Sequence, residues 1–330
     1  LRRQRQMCIR DRTIPRDTRD WMAGALLDGN AENIDLIVQG DLDQFPFEVK
    51  QSDSKPLGVF KITGNITGGK LDPGFGLQHA GQSAAWPKLE EIRGQIVLDK
   101  TNLKIHSDTA RTAEVNLSDV NVEVPNYWVI NSMLEVNGLV TGSLQSMVNY
   151  ANASPVSDYL YQMTEEMRGT GNAKVNLRMS LPLGLIGTET IQGKLYLSGN
   201  DIQLFRGTPS LQQMRGEIGF TEKGFFLAGV QGSYLGGQVN FNGGIQRDGS
   251  SQVNIDGAIT AEGLSKAFPS TSMRKLSKRF TGSTRYNASL RLKNQHAEFS
   301  LDSNLIGLSI DLPAPLGKSA PEALPLKFSL

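Results

Sequence analysis

The stretch WPKLEEIRGQIVLDKTNLKI, residues 86–105, returns 122 positions later as TPSLQQMRGEIGFTEKGFFL, residues 208–227. Pro87 answers to Pro209, Leu89 to Leu211, Arg93 to Arg215 and Gly94 to Gly216. Behind the shared Arg-Gly pair, apolar residues alternate with polar ones: Ile96/Leu98 and Leu103/Ile105 in the first copy, Ile218/Phe220 in the second. A period of two predicts strands with one buried face. The connectors Asp99-Lys-Thr-Asn102 and Glu222-Lys-Gly224 are short enough to predict antiparallel meanders. No His, Cys or acidic cluster recurs, so the duplicated module reads as an extended surface and not as a catalyst.

The alternation runs on through the chain. Val115-Asn-Leu117 resembles Val239-Asn-Phe241, Val136-Asn-Gly138 resembles Ile255-Asp-Gly257, and Val175-Asn-Leu177 resembles Ala288-Ser-Leu290, at offsets of 124, 119 and 113. Further runs are Ile34/Leu36/Val38, Phe60/Ile62, Val120/Val122/Val124, Leu195/Leu197, Val253/Ile255, Leu290/Leu292 and Phe299/Leu301. Three stretches carry helical spacing: Thr18 to Leu27; Ser154 to Gly169, with a serine cap and Pro155 in the first turn; and Met273, Leu276 and Phe280 up to Gly282. They predict module boundaries: a non-native or disordered leader at 1–16, a first β-groove module at 17–153, a helix with a second module at 154–281, and the start of a further one at 282–330. Glycine, at 35 of 330 residues against a usual ~7%, favours bulges and bends in these strands.

Charge excludes some classes of partner. With 34 basic and 33 acidic residues the net charge is +1, which gives no electrostatic preference for nucleic acid. The opening LRRQRQMCIRDR, with five Arg and one Asp, reads as translated adaptor sequence; the rest of the chain is at −3. Cys8, the single cysteine, lies inside it, so the body has no thiol for a disulfide, a zinc cage or a nucleophile. No run of 18 apolar residues is present.

Reactive constellations are weak. His79, His106 and His296 have no metal-ligand spacing. Ser272-Met-Arg-Lys275 matches S-x-x-K without its companion motifs, and Gly169-Thr-Gly171 lacks the third glycine of a dinucleotide loop. Glu165-Glu166 and Asp41/Asp43 are carboxylate pairs without an aromatic cluster to stack a sugar. Lys266, Arg274, Lys275, Lys278 and Arg279 form a basic patch with Met273, Leu276 and Phe280; its counterpart carries Asp158, Glu165 and Glu166, so a solvated helix face is favoured over a headgroup contact. No catalytic residue, cofactor or metal ligand is expected.

The apolar faces need a cover: a second sheet, a helix layer or a non-protein guest. A groove could hold acyl chains at about 0.8 kcal/mol per methylene, roughly 25 kcal/mol for some 30 methylenes. The motifs GDLDQFPF (40–47), WPKLEEIRG, TPSLQQMRG, SYLGGQV (233–239) and SNLIGLSIDLPAPLGKSAPEALPLKF (303–328) resemble the YhdP branch of the AsmA-like proteins over residues 17–330. The last is the most specific, with Leu305, Gly307, Leu308, Leu312, Pro313, Pro315, Lys318, Pro325 and Leu326 in the family's spacing. The resemblance implies an envelope protein held in the inner membrane by an N-terminal helix that this chain lacks. It implies a β-rich groove across the periplasm, phospholipid transfer toward the outer membrane, possible contact there, and support of the permeability barrier.

The expected fold is therefore mainly β: a long twisted antiparallel sheet curled into an open groove, built from a duplicated module with a few short amphipathic helices. The expected lining is one parity of each run: Ile96, Leu98, Leu103, Ile105, Val115, Leu117, Val175, Leu177, Leu195, Leu197, Ile218, Phe220, Val239, Phe241, Leu290, Leu292, Phe299 and Leu301. The competing reading is a non-catalytic structural or assembly factor for outer-membrane proteins, which would use the sheet edge to hold a client.

Overall fold

A computed structural model describes residues 23–47, 58–75, 78–79, 82–83, 86–129, 132–159, 164–182, 190–246, 249–268, 275–293 and 296–330. The leader, Cys8, Trp21, Met22, Leu160, Met163, Ser272, Met273 and Arg274 lie outside the described residues. The elements are β1 (Leu26–Gly40), β2 (Gly58–Leu71), β3 (Gln78–His79), β4 (Gln82–Ser83), β5 (Leu89–Asp99), β6 (Asn102–Thr112), β7 (Val115–Val124) and β8 (Met133–Ser143), then helices α1 (Leu144–Asn152) and α2 (Val156–Tyr159). There follow β9 (Arg168–Gly169), β10 (Asn172–Pro182), β11 (Thr190–Gln203), β12 (Leu211–Thr221), β13 (Gly224–Tyr234), β14 (Gly237–Ile245), β15 (Ser251–Thr260), α3 (Ala261–Ala267), β16 (Phe280–Lys293), β17 (His296–Ser303), β18 (Leu308–Ile310) and β19 (Leu326–Ser329). Seventeen strands form one antiparallel sheet that does not close into a barrel; β3 and β4 form a separate hairpin. The chain divides into two compact units, one containing β1 to β7 and the other β12 to β19.

In the first unit the hairpin registers align the apolar positions. Leu36 faces Ile62, Ile62 faces Leu98, Leu98 faces Leu103 and Leu103 faces Val124. One step along, Gly64, Ile96, Ile105, Val122 and Val136 form a second row. Directly opposed residues share a face, so both rows point to one side. The other side is polar, with Glu32, Asn65, Gln95, His106, Asn121 and Asn137 in one line across six strands.

β7 also carries Val115 and Leu117, whose parity is opposite to that of Val122. Asp119 reconciles them. It takes φ 50, and the register with β8 slips between Ser118 and Asn121. Leu117 then faces Val140 while Val122 faces Val136, and these two valines lie four apart on β8, hence on one side.

The second unit repeats the design. Val230, Phe241, Ile255, Ala288, Leu301 and Phe328 form a row across six strands. Ile218, Leu227, Gly243, Val253, Leu290 and Phe299 form the next. The repeat is conformational as well as sequential. Glu91 and Gln213, 122 residues apart, take φ 56 and φ 52, and each opens a bulge in its strand. The glycines that follow, Gly94 and Gly216, have no room for a side chain: a Cβ would run into the neighbouring strand at His106 and at Gly229 respectively. The two-residue turns Ala113-Glu114 and Leu235-Gly236, with φ of 41 and 67 and of 50 and 81, are also 122 apart. They set the β7/β14 correspondence at the same offset, so Leu117 and not Val115 matches Val239.

The helices depart from expectation. Leu26 and Leu27 belong to β1, because pairing with β2 extends past the helical residues 23–25. Of the stretch from Ser154, α2 covers Val156–Tyr159, and Arg168–Gly169 pairs with β11 as a strand. Of the third stretch, residues 275–277 are helical, Leu276 among them, and Phe280 beyond them opens β16 opposite Ile310. The helix-spaced residues yield there to strand pairing, which satisfies backbone groups more extensively. The longer helices start at unanticipated places. α1 follows β8 where the Ser143 hydroxyl accepts from the Ser146 amide at 3.0 Å, and α3 follows β15 where Thr260 accepts from Gly263 at 2.9 Å. Both are side-chain caps three residues ahead.

The 303–328 motif is explained by one buried cation. The Lys318 ammonium donates to the carbonyls of Leu305, at 2.9 Å, and Leu308. Lys318 also exchanges backbone bonds with Ile310. Lys318→Met would leave both carbonyls short of a donor, and urea unfolding should show a loss of about 2 kcal/mol. Gly94→Ala, which drives a methyl group into the adjacent strand, should lose at least as much, by about 2 kcal/mol or more.

Candidate functional site

The site suggested by the sequence is a face and not a cleft. Ile96, Leu98, Leu103, Ile105, Val115 and Leu117 share the apolar side of the first unit through the registers above. Ile218, Phe220, Val239, Phe241, Leu290, Phe299 and Leu301 share the apolar side of the second, and the backbone of Leu292 continues it opposite Ser251. Val175 and Leu177 lie two apart on β10, and Leu195 and Leu197 two apart on β11.

These residues differ in cover. Val115, Leu197 and Val239 are 2%, 5% and 1% exposed, so polypeptide closes over them. Leu197 belongs to a packed cluster with Leu144, Ala173, Ile202, Met214 and Val230, against which Leu195, Ile218, Leu227 and Phe241 also pack. Leu144 enters it from the first turn of α1, so that helix roofs part of the face. Ile96, Leu98, Leu103, Ile105 and Leu117, and on the far strands Leu290, Phe299 and Leu301, stay half-buried. On β1, Ile34, Leu36 and Val38 are 60%, 62% and 46% exposed. Among the described residues the longest helix is α1, with nine residues.

The lengths fit an extended apolar guest. A row across five strands spares about 19 Å of side-chain track at the usual ~4.8 Å spacing. At one end of the first unit, Val38 faces Phe60, and Phe45 packs on Phe60 at 4.8 Å and on Trp128 at 6.1 Å. This aromatic group closes the strand ends. Alternation does not reveal it, since its members come from a turn, a strand and a loop that span more than 80 residues. Leu36, Ile62, Val122, Val136 and Ile255 were visible as alternating residues, but only the registers place them in the rows.

His106 lies on the polar side of the first unit. It lies 2.9 Å from the Asn121 side chain, 3.3 Å from Asp108 and 3.9 Å from Asp119. The Asn121 hydrogen bond, followed by those two carboxylates, raises its pKa above 6.5. Asp41 caps a 3-10 turn by accepting from the Asp43 amide, and Glu166 accepts from the Arg206 amide, so both carboxylate pairs have structural partners. Of the basic patch, Lys266 is paired with Glu262 at 2.6 Å and Arg279 with Asp311 at 2.8 Å. Among the described residues no three His, Cys, Asp or Glu side chains gather to hold a metal ion. No described helix is long and apolar enough to cross a membrane.

Two tyrosines have pKa values raised by burial. Burial pushes Tyr150, on α1, up to about 12, and burial likewise raises Tyr286, which lies opposite Gly257 on β16, to about 12. Their neutral forms favour the folded state, so this stability is present below the ordinary tyrosine value and lost as pH rises through about 12. Absorbance at 295 nm should show two phenols still protonated at about pH 11. Packing should separate the covered from the bare positions: Leu144→Ala should cost about 3 kcal/mol in urea unfolding and Leu103→Ala about 1 kcal/mol.

A family model described as YhdP protein matches residues 11–330. The chain is 20% identical over 326 residues to the intermembrane phospholipid transporter YhdP of Escherichia coli (strain K12), with 94% of this chain and 23% of that protein covered. The chain thus spans about a quarter of that relative's length. No solved structure matches it.

Proposed function

The chain belongs to the YhdP family, and from that membership we propose that it carries glycerophospholipid acyl chains along the apolar side of its sheet. The observation that supports this is the sidedness of the sheet: row after row of half-buried aliphatic and aromatic side chains on one side, Asn, Gln, Ser and charged residues on the other. The track is formed by Ile62, Leu98, Ile96, Leu103 and Ile105 in the first unit and by Ile255, Leu290, Phe299 and Leu301 in the second. Val115, Leu197 and Val239, on the same side but covered by polypeptide, lie outside the open track.

The mechanism is passive. Tails lie across the rows and move from one strand to the next, because each methylene exchanges one apolar neighbour for another at little net free energy. Leaving the track costs about 0.8 kcal/mol per methylene exposed to water. Headgroups remain at the strand ends in water, since burying an unpaired phosphate would cost far more than the tails gain. No bond is made or broken. In the whole protein the track crosses the periplasm from an inner-membrane anchor, delivers phospholipid to the outer membrane and so sustains the permeability barrier.

Mass spectrometry of lipids on the chain purified without detergent tests this. Near-stoichiometric glycerophospholipid is expected on the unaltered chain. The double variant Ile105→Glu with Leu290→Glu sets a charge in each track and should retain at least about tenfold less. Gln95→Glu, on the polar side, should retain the full amount. A lipid-free unaltered chain, or equal retention by all three, overturns the reading.

A further inference from the structure

Resting on that reading, we propose that the second unit holds a headgroup subsite, specific for one phosphodiester anion, in the cleft between α3 and the start of β16. The cleft encloses about 470 Å³ and is lined by Ser265, Ser277, Lys278, Phe280, Thr281 and Glu262, with Thr260 at its back. Its charge is decided by pairing. The Glu262 carboxylate is held by Lys266 at 2.6 Å, and that hydrogen bond lowers its pKa. Arg279 is held by Asp311. Among the described residues Lys278 has no ion-pair partner, so the cleft presents one ammonium group that is not neutralised.

The hydroxyls sort in the same way. Thr260 is occupied in accepting from Gly263 and in bonding to the Leu235 carbonyl. Among the described residues Ser265 and Thr281 have no hydrogen-bond partner for their hydroxyls, which can donate to an oxyanion. One free ammonium and two free hydroxyls match a phosphodiester, which has a single negative charge and two unesterified oxygens. A monoester or inorganic phosphate would bring a second charge with nothing to meet it.

Position adds the second half of the argument. β16 leads from Phe280 and Thr281 at this cleft to Tyr286, Ala288 and Leu290, members of the apolar side. A ligand whose phosphate sits beside Lys278 can therefore run its tails directly onto β16 and its neighbours. The juxtaposition of a cation and hydroxyls with the end of an apolar track fits an amphiphile, and a free anion makes no use of the track. The strand end is also where a carried lipid must keep its headgroup wet.

Titration calorimetry of the full chain with dihexanoylphosphatidylglycerol below its micelle concentration tests the subsite, with inorganic phosphate and tail-less glycerophosphoglycerol as parallel probes. Lys278→Ala should weaken lipid binding about tenfold and Thr281→Val about threefold, while Lys278→Arg and the remote Lys223→Ala stay within about twofold of the unaltered chain. Tail-less glycerophosphoglycerol should bind more weakly but with the same dependence on Lys278. Lipid binding that is indifferent to both Lys278→Ala and Thr281→Val overturns the subsite and leaves carriage by the apolar side intact. Inorganic phosphate binding as well as the lipid, with the same dependence on Lys278, also overturns it by assigning the cleft to a free anion. No lipid binding by the unaltered chain overturns the carriage reading and the subsite together. Should Lys278→Ala fail to fold, Thr281→Val alone decides.

Discussion

Each unit depends on keeping apolar side chains on one side of its strands. A strand alternates with a strict period of two, so a single inserted residue sends everything beyond it to the opposite side. This sheet contains several such insertions, at Asn33, Glu91, Asp119, Gln213 and Gly229, all with positive φ. The side does not switch, because an irregularity in one strand is absorbed by the register with its neighbour. Leu117 and Val122 differ in parity yet meet Val140 and Val136, which do not. The bulges add twist while the chemistry of the two sides stays separate.

Half-buried apolar rows such as each unit carries call for a cover. In a sandwich the partner sheet would cover it; in a barrel the interior would close on itself. Here α1 covers one region through Leu144, and short helices and loops meet the strand ends. Much of the remainder stays half-exposed. Phospholipid tails are a physically adequate cover: they add no unsatisfied hydrogen-bonding group, and they pack against any arrangement of aliphatic surface. On the polar side, Gln95 and Asn254 are exposed to water. The separation of sides is thus what turns a structural repeat into a surface with a use.

The strands were legible in the sequence because alternation at Ile96/Leu98 or Val239/Phe241 depends on burial, which the sequence states directly. The repeat was legible for the same reason, and the resemblance carried by residues 303–328 pointed to the family. Three features were not. Positive φ at Glu91, Gln213 and Asp119 falls on residues that do not advertise it, and only the paired glycines Gly94 and Gly216 marked the spot. The helix from Leu144 follows a strand without a break; its single signal is the cap at Ser143, which Thr260 repeats before α3. The helical spacing held at Leu276, within the helical residues 275–277, and misled at Phe280, because a residue opposite Ile310 can bury one side as a strand just as well. For the site, periodicity identified the apolar set but not its cover, since Val115 and Leu103 look alike in sequence and differ entirely in what lies over them.

The central claim is that lipid lies against one side of the sheet and not the other. Site-specific photo-cross-linking tests it most directly, with benzoyl-phenylalanine placed in turn at Ile105, Leu290, Gln95 and Asn254 and irradiated in cells whose lipids carry radioactive phosphate. The account predicts labelled protein from Ile105 and Leu290 and none above background from Gln95 and Asn254. Equal labelling from all four positions, or none from the first two, would contradict it.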